Sequence, residues 1–270
     1  MEFMVIENSV EKIKKYNELK IDRIFIDLET LGKNERQGHL DTVKSDHSIK
    51  DIRKAKEVSQ SSLILVRVNP INPNSEIEIE NCIESGCDII MLPYFKTAKE
   101  VSDFIDIVGG RVKTSILLET APAFFRLEEI LEVGGIDEIH IGLNDLHLSL
   151  GLDFMFEIYS SPYLEIATKK ITEKGISLGI GGVAPASEGL VSGRNVIIEA
   201  KRLGAERLIL SRAFPKDNMR DLEREVDQLR NIYHDDYSEE DFLMNREQLQ
   251  FKVREVVALI RKKKSRDSHG

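Results

Sequence analysis

The chain is short of cysteine, of bilayer-length apolar runs and of any net basic charge, and each shortage removes a class of function. Cys82 and Cys87 are the only cysteines in 270 residues, and their spacing matches neither a redox pair nor a zinc knuckle. They are expected as reduced thiols in or beside a helix and a strand. No stretch approaches the length that spans a membrane, and residues 1–7 carry early acid rather than the basic-then-apolar layout of a secretion signal, so the expected location is cytoplasmic. A formal net charge of -9 argues against general nucleic-acid binding, which runs on basic surface. The one basic cluster, Arg261-Lys262-Lys263-Lys264-Ser265-Arg266, suggests a polyanion or membrane contact, but the solvated, fraying end of a last helix accounts for it better.

What the chain does have is a recurring alternation of short apolar runs and helical patterns, the mark of an α/β protein. With 41% hydrophobic and 31% charged residues, the composition suits one sizeable domain or two small ones. Eight strand-like runs fall near residues 3–6, 23–28, 63–68, 88–92, 113–118, 138–141, 177–180 and 207–210. That number over about 250 residues fits a (β/α)8 TIM barrel, with a doubly wound open sheet as the alternative. Polar residues gather at the ends of the runs: Asp27 and Glu29, Arg67 and Asn69, Glu119, Asn144 and Asp145, Gly181 and Gly182, Ser211 and Arg212. Reactive groups supplied by several strand ends at one rim are what a barrel active site requires, which favours the barrel.

Glu119 and Asp145 constrain function most. Each follows a short apolar run that reads as a buried parallel strand. Two carboxylates at successive strand ends can share one hard divalent cation, with water and a substrate oxygen completing its shell. The alternatives without a metal are a carboxylate at a helix N-terminus for Glu119 and an Asx-type turn for Asp145.

Helix signals fit the same scheme. Thr120 caps a predicted helix with Pro122 in its first turn, running through Leu127, Ile130 and Leu131 and stopping at Gly134-Gly135. Met219, Leu222, Val226, Leu229 and Tyr233 form one apolar stripe after the eighth strand. A last helix begins at Ser238, with Asp241 completing a weak capping box and Leu249, Val253, Val256, Val257 and Ile260 on its apolar face. If it runs from about 239 to 263 it is roughly 37 Å long and surplus to a barrel. We therefore divide the chain into a barrel, residues 1–236, and a helical extension, 237–270. The extension is expected to pack against a neighbouring subunit, with a helix folded back over one barrel end as the alternative.

Four segments, Phe25-Ile26-Asp27-Leu28-Glu29, Val66-Arg67-Val68-Asn69-Pro70, Leu117-Leu118-Glu119-Thr120 and Gly142-Leu143-Asn144-Asp145-Leu146, together resemble the HpcH/HpaI aldolase and citrate lyase β-chain family, from about residue 21 to 214. The resemblance implies a (β/α)8 barrel, Mg2+ or Mn2+, and chemistry through a metal-bound enolate of pyruvate or a related 2-oxo acid. It maps the metal ligands onto Glu119 and Asp145, and the arginine on the carbonyl oxygen onto Arg67. It also implies a homo-oligomer built through the C-terminal helix. Thr30 departs from the pattern: aldolases of the family have histidine directly after the acidic strand end, and the CoA-ester lyases usually a second acid.

The proton carrier is thus left open among several residues. Asp27 and Glu29 share parity on their strand, and serve either the chemistry or ion pairs with Lys33 or Arg36. His39 and His47 lie in a long polar connection, a kind of segment that often carries function, and either one replaces the missing histidine or is merely solvated. His140 reads as a packed histidine and His147 as a neighbour of the metal site. Arg67, flanked by Val66 and Val68, leaves a buried strand, which weakens its reading as a surface ion pair. Gly181, Gly182, Ser211 and Arg212 suit an anionic substrate group after the seventh and eighth strands, unless the glycines serve only a tight turn.

The expected function is a carbon–carbon lyase of the aldolase type, joining or cleaving a 2-oxo acid and a sugar-like or phosphorylated aldehyde. A lyase of 3-hydroxyacyl-CoA esters and a non-catalytic metal- or ligand-binding barrel are the alternatives.

Overall fold

The computed structural model describes residues 1–32, 46–214 and 218–267. Its strands are β1 (Glu2–Ile6), β2 (Arg23–Asp27), β3 (Leu63–Arg67), β4 (Ile89–Leu92), β5 (Lys113–Leu118), β6 (Glu138–Ile141), β7 (Ser177–Val183) and β8 (Arg207–Leu210). They pair in sequence order and close into a parallel barrel with helices around it. The expected strands agree to within a residue except β7, which continues through Gly181 and Gly182 to Val183. β2, β4 and β6 are buried at every position, and β4 is apolar throughout, as a strand covered on both faces can be.

The chain forms two compact units. One comprises Glu2–Leu118 and Pro122–His140; the other comprises Met1, Glu119–Ala121 and Ile141–Gly270. In the first unit, Arg23 is buried and its guanidinium grips Glu138 by two bonds of 2.6 and 2.8 Å, with a third to Glu2 at 2.6 Å. Asn17 ties the far end of this unit together. Its Nδ2 donates to the carbonyls of Ile13 and Val58, and its Oδ1 accepts from the Ser59 and Ser62 hydroxyls.

The predicted single helix after β5 is instead two, Ala121–Phe125 and Leu127–Leu131. The Arg126 amide is shared between the carbonyls of Pro122 and Ala123, at 3.2 and 3.1 Å. That bifurcation tightens the turn and ends the first helix. Cys82 lies in the helix Ser75–Glu84 and Cys87 just before β4, both free and buried. Burial pushes the Cys87 thiol up to about 12 and that of Cys82 higher still, so neither forms a reactive thiolate.

In the second unit, the helix Met219–His234 buries Leu222, Val226, Leu229 and Ile232, while Tyr233 sends its hydroxyl to the Ala205 carbonyl. The last helix, Glu239–Asp267, has 29 residues. Ser238 and Asp241 make the expected capping box, each bonded to the other's backbone amide at 3.2 and 2.9 Å. Leu249, Val253, Val256 and Val257 are buried as expected, but against their own chain. Asn245 and Asn195 of the helix Gly193–Arg202 exchange bonds of 2.8 and 3.1 Å. Arg246 pairs with Glu165, and Arg261 and Lys264 both with Asp153. Leu243, Met244, Phe251 and Leu259 remain exposed on the same helix. Among the described residues no helix is long and apolar enough to cross a membrane.

Candidate active site

Asp27 and Arg67 are register partners, the last residues of β2 and β3. In-register residues of a parallel pair face the same side, so their side chains must meet. They do so as a fork: Arg67 Nε to Asp27 Oδ1 and Nη2 to Oδ2, both 2.9 Å. The guanidinium also lies 5.5 Å from the centre of the Phe25 ring, one pleat back on β2. Glu29 joins the pair, with Oε2 3.4 Å from Arg67 Nε and its backbone amide on Asp27 Oδ1. Asp27 and Glu29 are both buried. Lys33 and Arg36, the expected alternative partners, lie outside the described residues, as does His39.

His47 reaches the same cluster. β1 ends opposite Phe25, leaving the Asp27 amide beyond its ladder, and that amide donates to His47 Nδ1 at 2.9 Å. An accepting Nδ1 carries no proton, so the neutral ring bears it on Nε2. Thr30 is exposed and directs its amide to Asn69 Oδ1 at 2.9 Å, so the residue at the departure from the family pattern is held by a side-chain amide.

Glu119 directly follows β5, and Asp145 lies in the first turn of the helix Leu143–Ser149, which directly follows β6 and Gly142. The two carboxylates are 3% and 7% exposed, and both belong to the second compact unit. Their segments are joined: the Ala121 amide donates to Ser149 Oγ at 2.8 Å. Gly181 seats the helix that carries Asp145. A Cβ at that position would stand 2.5 Å from Leu143 Cδ1, and the backbone has φ +51°. Gly182 approaches β8, where a Cβ would lie 3.1 Å from the Ile209 carbonyl. The two glycines thus have a packing reason. Arg212 is exposed, and Ser211 Oγ accepts from the Ala213 amide. His140 is buried within β6, and the His147 ring lies 3.3 Å from the Leu143 carbonyl.

Two buried carboxylates on joined segments are a hard-oxygen donor set, matching the one or two carboxylates with which proteins hold Mg2+ while leaving positions for water and substrate. Among the described residues no group of three or more His, Cys, Asp or Glu could hold a metal.

Sequence reasoning placed Asn69 at a strand end without giving it a role, and passed over its partner Glu78. Asn69 Oδ1 accepts the amides of Thr30 and Leu31, each at 2.9 Å, and its Nδ2 donates to Glu78 Oε1 at 2.8 Å. Burial pushes the Glu78 carboxyl up from its ordinary range, and the Asn69 bonds pull it partly back. A signal was present: Glu78 falls in step with the buried Ser75, Ile79 and Cys82, an acid on a helix's buried stripe.

The HpcH/HpaI aldolase/citrate lyase family model matches residues 5–180. No curated protein matches the chain. Among solved structures, an HpcH/HpaI aldolase from Desulfitobacterium hafniense DCB-2 is similar at 16% identity and a TM-score of 0.60, over 77% of this chain and 85% of that one. An HpcH/HpaI aldolase/citrate lyase family protein from Burkholderia cenocepacia J2315 is similar at 15% identity and a TM-score of 0.60, over 85% of this chain and 94% of that one. At these identities the two structures speak for the fold.

Proposed function

Because the chain belongs to the HpcH/HpaI aldolase/citrate lyase family, we propose that it is a divalent-metal-dependent carbon–carbon lyase of the aldolase type. Its substrate is an aldol adduct of pyruvate or a related 2-oxo acid, cleaved through the acid's enolate. The observation that carries the metal-dependent reading is the pair of buried carboxylates, Glu119 and Asp145, on segments joined by the Ala121–Ser149 bond. These two hold Mg2+ or Mn2+, which when bound supplies positive charge for the oxygen on which the enolate charge develops.

The remaining groups belong to the chain. Glu29 takes the proton from the substrate hydroxyl, whose oxygen electrons become the new carbonyl as the C–C bond breaks. The bond's electron pair passes to the 2-oxo acid as an enolate, and Glu29 returns the proton to its carbon, leaving pyruvate and an aldehyde. Asp27 is already committed to Arg67 through both oxygens, which leaves Glu29 the better proton carrier of the two. Asp27 also offsets the Arg67 charge, so Arg67 acts on the oxyanion through oriented N–H groups held in place before substrate arrives. His47, on the Asp27 amide, stays in reserve as a second acid–base group. The same reading has a cytoplasmic homo-oligomer in contact through the exposed apolar residues of the last helix.

Exchange of deuterium into the methyl group of pyruvate, followed by NMR in D2O, tests the reading. Exchange with Mg2+ or Mn2+ that stops with excess chelator supports it. A folded, metal-loaded protein that exchanges nothing on pyruvate or related 2-oxo acids refutes it.

A further inference from the structure

We propose that Asn69 and Glu78 are positioning residues for the Glu29 carboxylate, fixing the turn that follows β2 through a one-directional hydrogen-bond relay. The inference rests on the role given to Glu29 above and extends it to two residues of the turn's surroundings.

Beyond Asp27 the β2 backbone has left the sheet, yet it does not run free. The Leu28 amide still donates to the Arg67 carbonyl at 2.9 Å. Two residues later the backbone partner is replaced by a side chain: Asn69 Oδ1 receives both the Thr30 and the Leu31 amides at 2.9 Å, and the Thr30 hydroxyl at 3.4 Å. Asn69 follows Arg67 by two residues, so β3 and its extension grip the turn on both sides of Glu29. The turn is thereby held where the buried Glu29 side chain lies beside Arg67, Oε2 3.4 Å from Nε.

An amide side chain can do this only with its oxygen toward the turn. Glu78 enforces that orientation. Its Oε1 accepts both the Nδ2 and the backbone amide of Asn69, at 2.8 and 3.2 Å. A carboxylate accepts and cannot donate, so Asn69 must present its NH2 to Glu78 and its oxygen to the two amides. Flipping the amide would set NH2 against two N–H groups and oxygen against a carboxylate. The direction of every bond in the relay follows from the acid at its base.

The polarity can be reversed as a test. Asn69→Asp still offers oxygen to the turn but places a second carboxylate against Glu78. Glu78→Gln restores a donor at that contact, so the pair Asn69→Asp with Glu78→Gln should work where Asn69→Asp alone does not. Two readouts are taken on the full-length protein with Mg2+ or Mn2+: amide hydrogen exchange over residues 28–32, and the kcat and KM of deuterium exchange into pyruvate. Asn69→Asp should lose protection in that segment and on the order of 10²-fold in kcat, the scale of a misplaced catalytic group, with KM little changed. Glu78→Gln alone still offers an oxygen but no longer forbids the reverse orientation, so it should fall between wild type and Asn69→Asp in both readouts, and the double variant should recover both. Wild-type behaviour of Asn69→Asp, or a double variant no better than Asn69→Asp, overturns the proposal. If Asn69→Asp does not fold, recovery of fold and protection in the double variant supports the relay, and its failure to recover refutes it. If even the wild type leaves pyruvate unlabelled, the aldolase reading fails, and hydrogen exchange by itself decides whether the relay exists.

Discussion

Arg67 and Asp27, forty residues apart in sequence, end neighbouring strands as register partners and meet through two parallel hydrogen bonds of 2.9 Å. The fork fixes the guanidinium plane as well as its position, which a single point charge would not. Arg67→Lys keeps the charge and loses the fork. We expect turnover to fall on the order of 10²-fold, the scale of losing one oriented oxyanion donor, with the far-UV circular dichroism spectrum unchanged. Steady-state rates on pyruvate exchange check it; a variant within a factor of two of wild type would remove Arg67 from the chemistry.

Glu119 and Asp145 supply a prediction that needs no turnover. A ligand that binds only the folded state at a hundred times its Kd adds about 2.7 kcal/mol of stability. Mn2+ should therefore raise the melting temperature of the wild type and leave those of Glu119→Gln and Asp145→Asn where they were. Equal upward shifts in all three proteins would place the metal elsewhere.

Gly181 should control the metal site from a distance. A methyl group there meets Leu143 at 2.5 Å, two residues before Asp145, on a backbone at φ +51°. Leu143 must give way, and with it the first turn of the helix. Gly181→Ala is expected to weaken Mn2+ affinity by about tenfold, as disturbed support of metal ligands commonly does, measured by titration calorimetry. Unaltered affinity would show that the helix absorbs the methyl group elsewhere.

Glu29 and His47 are separable by kinetics. As proton carrier, Glu29 contributes on the order of 10²- to 10⁴-fold, so Glu29→Gln should all but stop deuterium exchange while metal still raises the melting temperature. His47→Asn and His39→Asn should retain the acid limb of the pH–rate profile, since a basic histidine is lost as pH falls and its ring charges. Disappearance of that limb in either histidine variant would move the base from Glu29 to that ring.

Arg23 and Glu138 concern stability alone. Desolvation works against the Arg23 charge, and the hydrogen bonds and charges of Glu138 and Glu2 together outweigh it, so the guanidinium holds its proton more tightly than usual. Glu138→Ala strands that buried charge, with only Glu2 left as its carboxylate partner among the contacts described, and should cost about 3 kcal/mol or more. Urea denaturation measures this. Replacing Arg23 and Glu138 together with Met and Leu should cost less than the sum of the two single changes.

Strand number and placement were legible in the chain because a parallel strand covered on both faces carries a short apolar run, as 64–66, 89–92, 116–118 and 208–210 do. The acids at the strand ends stood out for the same reason: Glu119 and Asp145 interrupt an apolar context that otherwise excludes charge. The capping box at Ser238 and Asp241 was readable because its partners are three residues apart and need no fold to meet. The break at Arg126 was not, since it depends on which of two carbonyls one amide bonds.

By itself the sequence determined eight buried strands, the helices between them and the carboxylates at their ends, all consequences of local periodicity and solvation. Tertiary structure alone decided which polar groups meet. Arg67 finds Asp27 because β2 and β3 align with those residues opposite, and a shift of one residue would turn one of the side chains to the other face. Glu78 finds Asn69, His47 the Asp27 amide, and the long helix its own chain through contacts between residues distant in sequence or set by how a helix seats on its strand. Register and docking geometry set such contacts, and neither is written in local residue order.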